Sequence, residues 1–210
     1  MGYFLAFLLA VMAFSHSSMD GLRAPAVTVV QAPAAAPPPA TKAPAPAPAV
    51  AKQTPSAEEI LAARQLVVPV QGIPRSRLKD TFDEGRGKGR AHRAIDIMAP
   101  WGTPVLAADD GQVTKISSNR GGGLSVYQTD ASGRFLYYYA HLAGYAEGLH
   151  DGQLVRRGEV IGYVGATGNA PDHAPHLHFA VQYVESGSRW AKLWGRGEAV
   201  NPYLALALAN

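Results

Sequence analysis

The chain has 210 residues, 47% of them hydrophobic and 17% charged, which suits one globular domain with appendages and enough apolar mass for a core. It contains no cysteine, so disulfides, a thiol nucleophile, a thiolate metal site and a lipidated N-terminal cysteine are excluded, and any metal must rely on His, Asp or Glu. A formal net charge of +3 favours an anionic partner but is too mild to indicate nucleic acid, and none is expected as a partner.

The first feature along the chain is an apolar run from Tyr3 to Phe14. Its 12 residues fall short of the ~20 that span a bilayer and match the core of a signal peptide. No Lys or Arg precedes it, so residues 1–18 read as a signal peptide or a retained membrane anchor. Either reading exports the chain to the periplasm or cell envelope, the second through a membrane tether. Residues 19–55 form a linker: Pro25, Pro33, Pro37, Pro38, Pro39, Pro44, Pro46, Pro48 and Pro55 supply 9 of the 16 prolines amid alanine. Such a segment has no apolar periodicity to bury and is expected to be a disordered, extended tether.

Ser56, with Glu59 three residues on, predicts a short helix over 56–66, since the serine hydroxyl and the glutamate can cap each other's backbone N–H. The domain proper is then expected over 67–210 and mainly β. Short runs rich in Val, Ile, Leu and Tyr read as strands at 67–70, 104–107, 112–116, 124–127, 135–139 and 160–164. Turn pairs such as Asp110-Gly111, Ser132-Gly133 and Asp151-Gly152 separate several of them, which favours an antiparallel arrangement in a sandwich or barrel-like domain. A basic run, Lys79, Arg86, Lys88, Arg90 and Arg93, reads either as a solvated loop or as a groove for an acidic polymer.

Four of the seven histidines fall in local patterns that suggest chemistry. In His92-Arg93-Ala94-Ile95-Asp96, strand alternation would put residues 92, 94 and 96 on one face, with small Ala94 leaving room between imidazole and carboxylate. In His176-Leu177-His178, residues two apart diverge on a helix but align on a strand, so two imidazoles share a face. His92, Asp96 and one histidine of this pair would offer two neutral nitrogens and one carboxylate, a donor set that zinc accepts. An open position would leave room for water activated by the metal, and hydrolysis would need no protein nucleophile. His141, ending the aromatic run Tyr138-Tyr139-Ala140, and the second histidine of the pair are candidates to move protons. His173 is the rival ligand, through which a closed, structural zinc site would arise. Trp101, Trp190 and Trp194 read as core residues or as the lining of a substrate groove.

The segment His92 to Asp96, the stretch Tyr139-Ala140-His141-Leu142 and the block His176-Leu177-His178-Phe179 resemble, in order, the three signature blocks of lysostaphin-type (LytM-like) zinc endopeptidases. Gly102-Thr103-Pro104-Val105, Asp110-Gly111-Gln112-Val113, Gly165-Ala166-Thr167-Gly168 and Val200-Asn201-Pro202 extend the likeness from about Val68 to Leu206. The resemblance implies the duplicated hybrid motif type of β-sheet fold, one Zn2+ per chain on His92, Asp96 and His178, and His141 and His176 as catalytic residues beside it. It also implies peptidoglycan as partner and substrate, with cleavage of stem-peptide or cross-link amide bonds. The alternative it leaves is a catalytically silent LytM-like regulator that activates a cell-wall amidase. Two departures stand out: Ala94 where the family usually has glycine, and Ala180 where a glutamate often follows His-Leu-His-Phe.

Overall fold

Ser56 and Glu59 cap each other: the Ser56 hydroxyl accepts from Glu59 N at 3.2 Å, and Glu59 Oε2 accepts from Ser56 N at 2.7 Å. This box starts helix α1 (Ala57–Ala62) in a computed structural model that describes residues 54–87, 89–184 and 197–207. The helix stops four residues short of the expected end, and Leu61 and Leu66 hold this segment on the core. The apolar leader, the linker as far as residue 53, Lys88, Trp190 and Trp194 lie outside the described residues. Among the described residues, no helix is long and apolar enough to cross a membrane.

Among the described residues the body is one antiparallel sheet of nine strands, not closed into a barrel. In chain order these are β1 (Ile95–Met98), β2 (Pro104–Leu106), β3 (Gly111–Asn119), β4 (Gly123–Asp130), β5 (Phe135–Tyr145), β6 (Leu154–Val155), β7 (Val160–Val164), β8 (His176–Tyr183) and β9 (Glu198–Val200), before a short helix α2 (Tyr203–Ala207). The main path runs β1-β8-β5-β4-β3-β6, while β7 joins β2 to β5 and β9 pairs with β8.

The expected strand at 67–70 does not form. Pro69 has no N–H to give a ladder, and the segment instead runs beside β2 through Leu106 N to Pro69 O at 3.0 Å, Val67 N to Ala108 O at 3.1 Å and one bridge, Val70 to Val105.

β5 is the spine that places the site. Tyr137 and Tyr139 point into the main core, whereas Tyr138 and Ala140 face the other way and pack with Ala94 and Ala180 in a second, smaller cluster. The tyrosine hydroxyls in the core are satisfied: Tyr139 donates to Gln128 Oε1 at 2.6 Å and Tyr137 to Asp109 Oδ2 at 3.0 Å. Asp109 and the buried Asp130 share Arg64, at 2.9 and 2.7 Å. Pairing with β8 ends at Ala140 opposite His178, and from Leu142 onward β5 pairs with β7 instead. His141 stands at that change of partner.

Candidate metal centre

Asp96 comes from β1 and His178 from β8, and the two are directly opposite in register. His176 lies on the same face of β8, two residues earlier, opposite Met98. His92 does not share a strand with Asp96. β1 begins only at Ile95, and Arg93 has a left-handed φ of 57°, so the alternation expected for residues 92, 94 and 96 fails. The turn at Arg93 brings the imidazole back over the sheet. Ala94 is fully buried in the small cluster with Tyr138, so its methyl does not stand between the imidazole and the carboxylate.

Three donor atoms form a nearly equilateral triangle: His92 Nε2 to His178 Nδ1 is 3.0 Å, and each lies 3.1 Å from Asp96 Oδ1. Among the described residues these three are the group able to hold a metal ion. His92 Nδ1 donates to the Thr81 carbonyl at 3.0 Å, which orients the ring with Nε2 towards Asp96 and His178. Burial alone would raise the Asp96 pKa, but hydrogen bonds and charge from His178 and His92 hold the carboxyl far below the usual carboxylate range. Burial, opposed by the hydrogen bond and charge of Asp96, lowers the His178 pKa, which eases release of the ring proton to a cation. Two imidazoles and a carboxylate, edge to edge with one side open to a cavity, fit zinc by donor chemistry and spacing.

Two more histidines face the same cavity of about 330 Å³. His176 Nδ1 donates to Ala174 O at 2.8 Å, and its Nε2 stands 3.8 Å from Asp96 Oδ1. His141 Nδ1 donates to Thr167 O at 2.8 Å, leaving Nε2 as its free ring nitrogen. Its ring lies 5.0 Å from that of His176 and 5.6 Å from that of His178. Burial, opposed by the Thr167 hydrogen bond, pushes the His141 pKa down to about 4.

A left-handed φ of 63° at His141 lets two consecutive residues, Ala140 and His141, leave the core face while Leu142 returns to it. His141 N donates to Gly122 O at 2.7 Å. A Cβ on neighbouring Gly123 would sit 2.4 Å from the Thr167 carbonyl carbon, so only glycine lets these two loops touch.

Spacing alone did not reveal Thr81 and Arg86. Buried Thr81 takes His92 Nδ1–H on its carbonyl, accepts from Asp96 N on Oγ1 at 3.1 Å and donates from it to Ala94 O at 3.4 Å. Arg86 pairs with Asp96 Oδ2 and approaches His92 Nε2 at 2.9 Å. Neither belongs to a local motif. His173, by contrast, is exposed, does not line the cavity and is absent from the donor group, so among the described residues no fourth ligand closes the site. Trp101 is 59% exposed rather than core.

Replacing Thr81 by valine keeps the shape and the main-chain acceptor but leaves the Asp96 N–H without its partner. The metal-free protein is expected to lose about 1–3 kcal/mol of stability, measured by urea denaturation. An unchanged midpoint would show that the Thr81 hydroxyl does not organise the ligand segment.

The site is thus an open antiparallel sheet that presents a His/Asp/His donor triangle beside two tethered histidines. The chain belongs to peptidase family M23, a family of metallopeptidases, whose model matches residues 90–202. It is 35% identical over 120 residues to an L-Ala–D-Glu endopeptidase of Bacillus subtilis, covering 54% of this chain and 36% of that one. It is 40% identical over 109 residues to the peptidoglycan DD-endopeptidase ShyC of Vibrio cholerae, covering 51% and 24%. Among solved structures, Helicobacter pylori Csd3 superimposes with a TM-score of 0.50 at 27% identity, over 67% of this chain and 33% of that one. In each case the matched part is a minority of the relative's own length.

Proposed function

We propose that this chain is an exported zinc-dependent endopeptidase that hydrolyses amide bonds in peptidoglycan stem peptides or cross-links. The observation that carries the reading is the donor triangle of His92, Asp96 and His178, complete and open on the side where His141 and His176 present free ring nitrogens. Zinc held there would supply Lewis-acid polarisation of the scissile carbonyl and a water of lowered pKa.

The remaining work falls to the chain's own side chains. His141, neutral above about pH 4, accepts a proton at Nε2 while its Nδ1–H stays on the Thr167 carbonyl. His176, tethered likewise through Ala174, presents its Nε2 to the same cavity and, once it has taken up a proton there, can pass it to the leaving amine or hydrogen-bond the developing oxyanion. The names of the relatives support a cell-wall peptide as substrate, and the apolar run from Tyr3 to Phe14 supports export to where that substrate lies. A silent regulator would be expected to lack part of the ligand set, and here the set is full.

Digestion of purified sacculi of different cross-link chemistry, with products identified by mass spectrometry, tests the reading. Newly exposed amino termini should appear with the zinc-loaded protein and disappear with chelator. Intact sacculi together with stimulation of a partner amidase would favour the regulator instead.

A further inference from the structure

Segments 84–87 and 89–92, which carry Arg86 and Arg90 of the basic run, pair as a hairpin beside the cavity. Gly85 bridges to Ala91, Arg86 N donates to Arg90 O at 2.8 Å, and His92 N donates to Glu84 O at 2.9 Å, so the stem of the hairpin continues into the ligand segment. Arg86 and Arg90 both line the cavity. The lining residues Gly121, Gly122, Asn169, Ala170 and Pro171 carry no charge. Asp96 is the one carboxylate in the lining, and it is already engaged by His92, His178 and Arg86. The exposed Arg90 side chain has no hydrogen bond or ion pair among the described residues. An unneutralised guanidinium therefore stands on one rim of the cleft, two residues from His92, and a bound cation would add to the positive field there.

We propose that Arg90 is a specificity determinant that binds a free carboxylate of the peptide next to the scissile amide. The site would then select acidic wall peptides over neutral bridges such as glycine chains. A guanidinium suits this task because its planar fork meets a carboxylate through two parallel N–H bonds, and a hairpin fixed by backbone hydrogen bonds limits the ordering that binding requires. The proposal rests on the endopeptidase reading for its substrate class, and it takes the positive rim beyond that reading.

The test uses a fluorescently labelled wall-type peptide bearing a free carboxylate beside the amide, and its carboxamide twin. Binding is measured by anisotropy to chelator-treated protein, where no turnover occurs, and hydrolysis is measured on the zinc-loaded protein. The acid form should bind wild type about tenfold more tightly than the amide. Arg90→Ala should erase that preference while leaving affinity for the amide and the melting temperature unchanged, and Arg90→Lys should restore only part of it. In turnover, Arg90→Ala should raise KM for the acid form with kcat retained. Equal binding of the twins to wild type, or a preference that survives Arg90→Ala, overturns the proposal. Failure of the loaded wild type to cut either twin strikes the endopeptidase reading instead, and the binding ratio decides the subsite independently of it.

Discussion

Asp96→Ala should take the zinc content of the purified protein from about one per chain to none and abolish cleavage of sacculi. Asp96 supplies the only negative charge in the donor triangle, and its Oδ1 lies within 3.1 Å of both imidazole donors. Two neutral nitrogens alone hold a divalent cation weakly, and losing the cation removes several kcal/mol of transition-state stabilisation, a fall of about 10³-fold or more. The substitution also strips Arg86 of its carboxylate, leaving a guanidinium close to His92 and further disfavouring a cation there. Asp96→Asn separates the two effects: it keeps the shape and most hydrogen bonds while removing the charge, and it should be almost as damaging to metal binding. Metal analysis alongside the sacculus assay decides the matter, and full turnover by Asp96→Ala would sink the assignment.

His141→Ala should behave in the opposite sense, keeping the zinc and losing the rate. His141 is outside the donor triangle, and its Nδ1 is committed to Thr167 O, so removing the ring takes away a proton acceptor and no ligand. A fall in kcat of about 10²–10⁴-fold with KM and zinc content little changed is expected. His176→Ala should give a loss of similar size. The double variant should lose much less than the product of the two, because both rings serve one proton path. Loss of zinc from His141→Ala would reassign that residue to metal binding.

The amino-acid sequence carried much of this architecture, for identifiable physical reasons. Strand runs bounded by glycine turns map onto β2 to β5 and β7, since apolar alternation and turn chemistry are local properties. His176 and His178 do share a face, because β8 is regular where they lie. The reading failed where backbone conformation departs from the regular. Arg93 and His141 both adopt left-handed φ, a state that side chains other than glycine seldom signal in advance, so alternation misplaced His92 and gave no hint of how His141 turns towards the cleft. Proline at 69 removed a strand that composition favoured. Thr81 escaped notice, and Arg86 stood out only as part of a basic run, because their partners are 15 and 10 residues away on other segments and the fold alone brings them together. The two departures from the family pattern also meet only in three dimensions, where Ala94 and Ala180 fill one small cluster with Tyr138 and Ala140.

The exchange of partners along β5 has a dynamic consequence. Up to Ala140 the strand is fastened to β8, which carries His176 and His178; beyond Leu142 it is fastened to β7; and His141 lies between. His141 and the strand carrying His176 and His178 are thus held within one hydrogen-bonded sheet rather than on a lid that must close. On the proposed function, aligning His141 with a bound cation requires no large motion once the sheet has formed, and the entropy of assembling the reacting groups is met during folding instead of at each turnover. Native-state hydrogen exchange at residues 138–142 should accordingly be among the slowest in the domain, tying the lifetime of the catalytic arrangement to global unfolding rather than to local breathing.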